Sequence, residues 1–423
     1  MSRLFPAWQQ LTHSSRIWRV RFAALTGAVL LGLAAIAFAH FGDLAQQAFQ
    51  AVIRRWPLAP FVLTPVLFMG TVWLTRLLWP EARGSGIPQV MAAAHAPESE
   101  TATKLLSPGV ALAKCFGTGL ILLAGGSAGR EGPTVQISAA IMMAIHRVLR
   151  VPVSAGVVIA GGAAGVAAAF NTPLAGVAFA IEELASAFEQ KVAVLVMMAV
   201  MVGGLISLGL SGDYVYFGAM NDRMSLVQMA IGVPLAGITG GLAGGAFSRA
   251  LVALSASKVK PARWMRGHPL IVAGICGAVV AITGYASGGI SWGTGYDITH
   301  GLLSGQAAPL TFGPAKFIST LATALSGAPG GIFAPSLSVG AGLGQALSLL
   351  TPGTPAPAMV LLGLIGYFTG VVRAPLTAVI IVAEMTATRT MILPLFGTAI
   401  IADWVSAQVC PPKLYHALSR AFG

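Results

Sequence analysis

The sequence predicts an all-α, polytopic membrane protein built from two inverted-topology repeats of tilted and broken transmembrane helices. Three observations support this fold class. The 423 residues are 56% hydrophobic and only 9% charged, whereas soluble domains carry roughly 25% charged residues. Long stretches contain no acidic or basic residue except histidine, and two distant parts of the chain resemble each other at one offset.

Stretches without Asp, Glu, Lys or Arg mark the candidate membrane spans. Several are each long enough to cross about 30 Å of hydrocarbon as a helix: residues 22–42, 56–75, 192–212, 224–248 and 267–296. The longest such stretch, residues 317–372, exceeds one crossing and is rich in Gly and Pro. We expect it to fold back as broken or re-entrant helices, since Gly and Pro interrupt membrane helices where neighbouring segments satisfy the backbone.

The charge pattern predicts the orientation in the membrane. The formal net charge is +12, and basic residues cluster before residue 22 and within 258–266: Arg3, Arg16, Arg19, Arg21, Lys258, Lys260, Arg263 and Arg266. Such clusters mark the cytoplasmic side, so they indicate topology and argue against a nucleic-acid partner. No cleavable signal peptide is expected, because the first apolar stretch lacks a small-residue cleavage signature.

The internal resemblance aligns residues 159–182 with residues 361–384, and thereby Glu182 with Glu384. The same offset places GREGP on GIFAP. Inverted repeats whose discontinuous helices meet near the membrane midplane are common in transporters, so the Gly-Pro segments are candidates for an ion site. For the many small residues of 155–170, close helix packing is the competing explanation.

Three segments have the composition of helix starts: GSGIP (84–88), GREGP (129–133) and GIFAP (331–335). Proline is favoured in the first turn of a helix, where backbone N–H groups lack partners and the helix dipole is positive. Inside a bilayer each unpaired N–H is costly unless a partner such as an anion is supplied. Three starts that converge would bind a dehydrated anion through partial charges, weakly enough for it to move on.

Glu131 lies in the first turn of the GREGP helix. Carboxylates inside membranes are costly and usually functional. An ionised Glu131 would occupy an anion position when no anion is bound, and a protonated Glu131 would swing away, so this residue would act as a gate. The structural alternative is that Glu131 pairs with Arg130 or caps its own helix.

Glu182 and Glu183 end a long stretch without other acidic or basic residues, in the sequence IEEL. Adjacent residues on a helix point about 100° apart, so the two carboxylates have different surroundings. Glu182 has Glu384 as its repeat partner, which favours a structural role for both. Glu183 aligns with Met385; it could pass protons between the cytoplasm and Glu131, or be a solvated charge at a helix end.

Other chemistries have little support. The segment GGSAG matches the G-x-S-x-G pattern of serine hydrolases around Ser127, but that pattern requires a strand–turn–helix context and a histidine. His146 is the only histidine nearby. No metal or cofactor motif occurs, so none is expected. Cys115, Cys276 and Cys410 are isolated and are predicted to be buried as small hydrophobic residues.

The combination of GSGIP, GREGPTVQ, SGAPGGIFAP, AAFNTPLAGVAFAIEE and LYHAL resembles the signature of the CLC chloride channel and transporter family over nearly the whole chain. The resemblance implies the CLC fold and a homodimer in membrane lipid, with one anion path in each subunit and both termini in the cytoplasm. It implies the bacterial exchanger type of the inner membrane, without cytoplasmic nucleotide-sensing domains.

By this resemblance, a central anion is bound by the hydroxyls of Ser85 and Tyr415 and by the backbone N–H groups of Ile332 and Phe333. Serine at position 85 favours chloride, because the nitrate-selective and fluoride-exporting relatives carry another residue there. Gln89 stands where many relatives have glutamate, which puts a salt bridge there in doubt but leaves the anion ligands intact.

The resemblance also assigns the acidic residues. Glu131 is the external gating glutamate, and the N–H groups from Arg130 to Gly132 line its site. Glu183 matches the intracellular proton-transfer glutamate that proton-coupled members carry and channel members typically lack. Glu182 has a supporting role.

The resulting prediction is a proton-coupled chloride antiporter, not an enzyme, with chloride and protons as substrates. A passive chloride channel on the same fold is the first alternative, and an intramembrane serine hydrolase is a remote one. The expected organisation is a cytoplasmic N-terminal segment (1–21), a first transmembrane repeat (22–212), a second repeat (213–410) and a C-terminal segment (411–423) that carries Tyr415.

Overall fold

Helices account for the architecture of the chain. The computed structural model describes residues 5–184, 190–211, 216–220, 222–256 and 259–422. These residues form 19 α-helices, a short 3₁₀ helix at Pro80–Ala82 and a π-helix at Ala180–Leu184, and no β-strand is present among them. The predicted all-α class is confirmed.

The helices fall into two series and a short C-terminal helix. The first series is α1 (Phe5–Arg55), α2 (Pro60–Leu78), α3 (Ile87–His95), α4 (Glu100–Leu105), α5 (Pro108–Leu123), α6 (Glu131–Val148), α7 (Ala155–Phe170), α8 (Pro173–Phe179) and α9 (Gln190–Ser211). The second series is α10 (Leu226–Ala256), α11 (Lys260–Gly267), α12 (Pro269–Ala286), α13 (Tyr296–Leu303), α14 (Phe312–Leu325), α15 (Phe333–Ser348), α16 (Ala356–Val372), α17 (Pro375–Thr386) and α18 (Ile392–Val409). The C-terminal helix is α19 (Leu414–Ser419).

The apolar helices of the structure differ in length. By length and composition, five helices of the described chain are able to cross a membrane, and they lie within α1, α2, α10, α12 and α18. Others, including α7, α16 and α17, are apolar but shorter. The long apolar stretch at 317–372 is divided into the end of α14, α15 and α16, as its Gly and Pro content predicts.

The two series repeat the same plan. Helices α6 and α8 begin at Glu131 and Pro173, and α15 and α17 begin at the same offset further along the chain, at Phe333 and Pro375. The internal resemblance found in the sequence is therefore a structural repeat.

Glu182 and Glu384 connect the two repeats in a reciprocal way. The Glu384 carboxylate accepts hydrogen bonds from the first turn of α8, including the Ala175 N–H at 2.8 Å. The Glu182 carboxylate accepts from the first turn of α17, including the Thr377 N–H at 2.7 Å. Each carboxylate thus satisfies helix-start donors of the other repeat, and the expected structural role of this pair is observed.

Small residues in α7 allow close helix packing. A Cβ atom added at Gly161 would lie 2.9 Å from the Ala139 Cα of α6, and one added at Gly165 would lie 2.8 Å from the Ser138 Oγ. Backbones approach closely where such residues face a neighbouring membrane helix. Packing accounts for the small residues of 155–170.

The predicted boundaries fall at different kinds of place. Residue 21 lies inside α1, position 212 is outside the described residues, and residue 410 lies between α18 and α19.

Cys276 and Cys410 are buried as predicted, whereas Cys115 is partly exposed and packs against the main hydrophobic core.

Candidate functional site

The loops before α6 and α15 lie side by side. The Gly129 N–H donates to the Gly331 carbonyl at 2.7 Å, and the Gly331 N–H donates to the Gly129 carbonyl at 2.9 Å. These two glycines occupy equivalent positions in the repeats. The starts of α6 and α15 are therefore brought together by a reciprocal pair of backbone hydrogen bonds.

The start of α3 reaches the same place. Gly86, in the left-handed conformation with φ of 104°, ends the loop, and a Cβ there would lie 2.9 Å from the Gly132 carbonyl oxygen. A Cβ added at Gly132 would lie 2.8 Å from the Ser85 Oγ. The three predicted helix starts converge, and glycine is required where they touch because a side chain would push them apart.

Two hydroxyl side chains face this centre. Tyr415 of α19 is fully buried, and its ring lies 6.0 Å from the Phe333 ring. Within the described part of the chain, its hydroxyl makes no hydrogen bond of normal geometry, although Ser85 is close to the phenol. The Ser85 Oγ accepts from the Ile87 N–H at 3.4 Å. Ile332 directly precedes α15, so the predicted set lies around one buried point.

Glu131 is bound by groups of the second repeat. The carboxylate is 2% exposed. Its Oε1 accepts a hydrogen bond from the Tyr296 hydroxyl at 2.6 Å, and its Oε2 accepts from the Ala334 N–H at 3.4 Å. Ala334 lies in the first turn of α15, so the carboxylate occupies the kind of position that an anion would take at that helix start.

Arg130 does not pair with Glu131, which removes one structural alternative for this carboxylate. The Arg130 guanidinium donates to the Asp43 carboxylate at 2.8 Å and also to the Ala39 carbonyl. Both acceptors belong to α1. Arg130 therefore attaches the GREGP loop to α1, and the observed donors to Glu131 come from α13 and α15 rather than from its own helix.

A surface cavity lies beside Arg130 and Tyr296. It has a volume of about 1230 Å³, and its walls include Asp43, Gln46, Arg130, Tyr216 and Tyr296. The Tyr296 hydroxyl touches Glu131, so this side chain stands between the cavity and the carboxylate. We call this cavity the outer vestibule.

The sequence motifs did not identify Tyr296 as a site residue, although the segment around it has a recognisable glycine pattern. The segment GTGYD contains Gly293 and Gly295, whose φ angles of 66° and 85° match those of Gly84 and Gly86 in GSGIP, 64° and 104°. GTGYD is therefore the structural counterpart of GSGIP. The comparison at one fixed offset did not detect it, because the spacing between these loops differs from the spacing of the other repeat elements.

Two fully buried lysines support these matching loops, and they were also missed. The Lys114 ammonium donates to the Gly84 carbonyl at 2.8 Å, and the Lys316 ammonium donates to the Gly293 carbonyl at 2.5 Å. The lysines occupy equivalent positions in α5 and α14. Gln89 assists Lys114, because its amide and the ammonium both donate to the Arg83 carbonyl; this is a role that an ionised glutamate could not fill.

Glu183 lies apart from Glu131, in the π-helix that follows α8. Its side chain has no exposed surface, and the His416 Nδ1 lies 3.5 Å from the Glu183 Oε1. No hydrogen-bond donor of normal geometry reaches either carboxylate oxygen among the described residues. The observed Glu183 is buried, so the alternative of a solvated charge is wrong.

Ser127 has the contacts of a structural residue. Its Oγ lies 2.9 Å from the Thr320 Oγ1, and its N–H donates to the Thr323 Oγ1 at 3.1 Å. These threonine hydroxyls supply no base for a nucleophilic serine, and the flanking segments are helical. A serine-hydrolase site is not supported. Across the described ranges, no group of three metal-binding side chains is present either.

The fold and site together define an integral, multi-pass membrane protein whose discontinuous helices meet at a buried polar centre. The chain belongs to the voltage gated chloride channel family, whose description matches residues 66–407. It is 30% identical to the H(+)/Cl(-) exchange transporter ClcA of Yersinia pseudotuberculosis, over 94% of this chain and 86% of that relative. A ClcA of Yersinia pestis matches with the same identity and coverage.

Solved structures confirm the fold. A slow cyanobacterial Cl-/H+ antiporter has a TM-score of 0.82 at 23% identity, with 95% of this chain and 97% of that chain covered. A CLC-type fluoride/proton antiporter has a TM-score of 0.79 at 22% identity, with 93% and 96% covered. A eukaryotic CLC transporter has a TM-score of 0.76 at 21% identity, with 95% and 74% covered.

Proposed function

We propose that the protein is a proton-coupled chloride antiporter. The observation that carries the proposal is the position of Glu131, whose carboxylate is bound at the start of α15 by the Ala334 N–H and by the Tyr296 hydroxyl. A negatively charged side chain that binds where an anion would bind competes with that anion for the same donors.

The competition gives a mechanism for exchange. Chloride reaches the centre between Ser85 and Tyr415, where it meets hydroxyls and the unpaired N–H groups of Ile332 and Phe333 instead of a full positive charge. When Glu131 takes up a proton, its charge is lost and its hydrogen bonds weaken, so chloride replaces it. Chloride movement in one direction is thereby linked to proton movement in the other.

Two features favour an exchanger of chloride over the alternatives. Glu183 is a second buried carboxylate away from the anion centre, as a proton path separate from the anion path requires, whereas a passive channel has no use for it. Ser85 offers a hydroxyl next to Gly132, as expected for chloride. A fluoride/proton antiporter shares the fold, and the same assay run with fluoride distinguishes the two anions.

The proposed setting follows from the charge pattern and the family. The protein forms a homodimer in the lipid of the bacterial inner membrane, with both termini and the basic segment 258–266 in the cytoplasm. The predicted division into segments 1–21, 22–212, 213–410 and 411–423 completes this proposal, with Arg130 and Gly132 lining the gate site and Glu182 stabilising the half-helix of the other repeat.

Transport in vesicles tests the function. Purified protein in lipid vesicles is given a chloride gradient, and a potassium ionophore sets the voltage. Chloride moving downhill should drive protons uphill. Glu131→Gln, which keeps the shape but has no charge to titrate, should pass chloride without proton movement, and Glu98→Gln on the exposed surface is the matched control.

The other variants separate the alternatives. Glu183→Gln should abolish proton movement while the gate at Glu131 still responds to external pH. Chloride flux without proton movement in the unmodified protein would make it a channel, and proton pumping that survives in Glu131→Gln would refute the gate assignment.

A further inference from the structure

His416 is the basic side chain that contacts the buried Glu183. Its Nδ1 lies 3.5 Å from the Glu183 Oε1. The two side chains differ in exposure, because 48% of the His416 side chain is accessible and none of the Glu183 side chain is. The imidazole therefore spans the distance between solvent and a carboxylate that solvent does not reach.

This histidine lies where the proposed anion path and the proposed proton path come together. His416 follows Tyr415 directly on α19, and adjacent residues on a helix point about 100° apart. Tyr415 is fully buried towards the anion centre, while His416 contacts Glu183. One turn of helix thus carries a candidate anion ligand and the side chain next to the candidate proton-transfer carboxylate.

The other charged groups around the pair are few. The positive charge of Lys413 favours a negative charge on Glu183, and the negative charge of Glu182 disfavours it. Helix α19 packs against α3, α10 and α16, and the titratable residues on these helices and on the loop before α3 are His95, Arg249, Tyr367 and Arg83. Arg83 stacks over the Phe422 ring, and the exposed His95 is bound to the Met91 carbonyl. Among these groups, His416 is the one in salt-bridge contact with Glu183, and an imidazole can both accept and donate a proton.

We propose that His416 exchanges protons between cytoplasmic water and Glu183. The inference rests on the proposed function, since it gives a route to the carboxylate that the exchanger uses. In the inward direction of proton release, the carboxylic O–H bond of Glu183 breaks and an N–H bond forms at Nδ1 of neutral His416. The imidazolium then gives up a proton to water. The reverse sequence loads Glu183, and no electron transfer is involved.

The contact favours this route over direct hydration of the carboxylate. Both Glu183 oxygens lack a donor of normal geometry within the described chain, and the side chain has no exposed surface. A proton that reaches Glu183 must therefore cross a layer of protein, and His416 lies within this layer, between Glu183 and solvent. The distance of 3.5 Å requires only a small side-chain movement, or one bridging water, to become a hydrogen bond.

The experiment compares proton uptake by the unmodified protein and by His416→Gln in vesicles. Glutamine keeps a polar side chain but cannot carry the proton. We expect proton uptake to fall about tenfold, a modest share of what positioned proton-transfer groups contribute. The rate in the unmodified protein should depend on internal pH, and the variant should lose this dependence. Free imidazole inside the vesicles should restore part of the rate.

Two controls keep the outcomes distinct. His95→Gln changes another exposed histidine on a helix that packs against α19, and it should leave proton uptake unchanged. Chloride binding, measured by calorimetry, should stay at the unmodified value in His416→Gln; His416→Asn serves if the glutamine variant does not yield folded protein.

Several results would overturn the assignment. Undiminished proton uptake with an unchanged pH profile in His416→Gln would refute it, and so would loss of chloride binding with no rescue by imidazole, which would make His416 a structural residue. By contrast, failure of the unmodified protein to move protons would refute the proposed function itself.

Discussion

At the scale of single residues, the contacts of Glu131 resemble those of a bound anion. Its two oxygens accept from a phenol and from a backbone N–H of a helix start. A charged acceptor strengthens both hydrogen bonds, so the ionised carboxylate fits this place better than the neutral acid does. Protonation therefore weakens the gate at the point where it competes with chloride.

Replacing Tyr296 with Phe should make chloride bind more tightly. The change removes a hydrogen bond to a charged group, which contributes about 1.5–3 kcal/mol, from the closed position of Glu131. A competitor weakened by that amount should raise the apparent chloride affinity by about tenfold or more, because 1.4 kcal/mol corresponds to a factor of ten. Calorimetric titration with chloride measures the change.

Tyr285→Phe is the matched control, since this tyrosine is half exposed at the end of α12. It should leave chloride affinity unchanged. An affinity in Tyr296→Phe equal to that of the unmodified protein would mean that the hydroxyl does not hold the gate in place.

The sequence predicted some of these residues and missed others for a physical reason. Ser85 and Glu131 lie inside Gly-Pro segments, where local chemistry already requires a donor or acceptor. Tyr296 meets Glu131 across 165 positions of the chain, and His416 meets Glu183 only because α19 folds back onto the first repeat. Such contacts depend on helix packing, which a local pattern does not encode.

At the scale of helices, the short segments α8 and α17 depend on acceptors from outside their own repeat. Both begin with proline, and the N–H groups of a helix's first turn have no partner within their own helix. The sequence did not single out these two starts. It predicted a structural role for Glu182 and Glu384 from their alignment, but the donors that they bind became evident only when the two repeats were placed together.

Replacing either glutamate with alanine should destabilise the protein. Each variant removes a charged acceptor from a helix start, and hydrogen bonds to charged groups contribute about 1.5–3 kcal/mol. Glu182→Ala should cost more than Glu384→Ala, because Glu182 also accepts from the Thr377 hydroxyl at 2.8 Å. Thermal unfolding in detergent, followed by circular dichroism, measures the loss.

Glu98→Ala, on the exposed surface, provides the baseline for removing a carboxylate that caps no such helix. The two glutamates bind different helices, so the effects of a double variant should be close to additive. A midpoint unchanged in both single variants would contradict the reciprocal capping.

At the scale of the whole molecule, we expect the basic segment 258–266 and the outer vestibule to lie on opposite sides of the membrane. Basic residues cluster around 258–266, whereas the vestibule is lined by Tyr296, which contacts Glu131, the proposed external gate. Low charge and the internal resemblance were sufficient to predict an integral membrane fold with two repeats. The vestibule was not predictable, because residues from several helices form its walls.

Cysteine labelling tests this orientation. Lys260→Cys lies at the start of α11, in the basic segment 258–266, and Gln47→Cys lies in the wall of the vestibule; both positions are exposed. In intact cells a membrane-impermeant maleimide should label position 47, and it should label position 260 only after permeabilisation. Cys115, which is partly exposed, is replaced with alanine in the background. Labelling in the reverse order would invert the proposed topology.

Glu384 accepts from the start of α8, and Glu182 accepts from the start of α17. This reciprocal contact has a consequence for the chain if it is divided into two fragments. If the polypeptide were cut between its two halves, the N-terminal piece would keep Glu182 but lose the acceptor for α8, and the C-terminal piece would keep Glu384 but lose the acceptor for α17. Neither piece could satisfy its own half-helix, and each would hold what the other lacks. The two carboxylates, one on each side of the cut, would therefore contribute directly to recognition between the fragments.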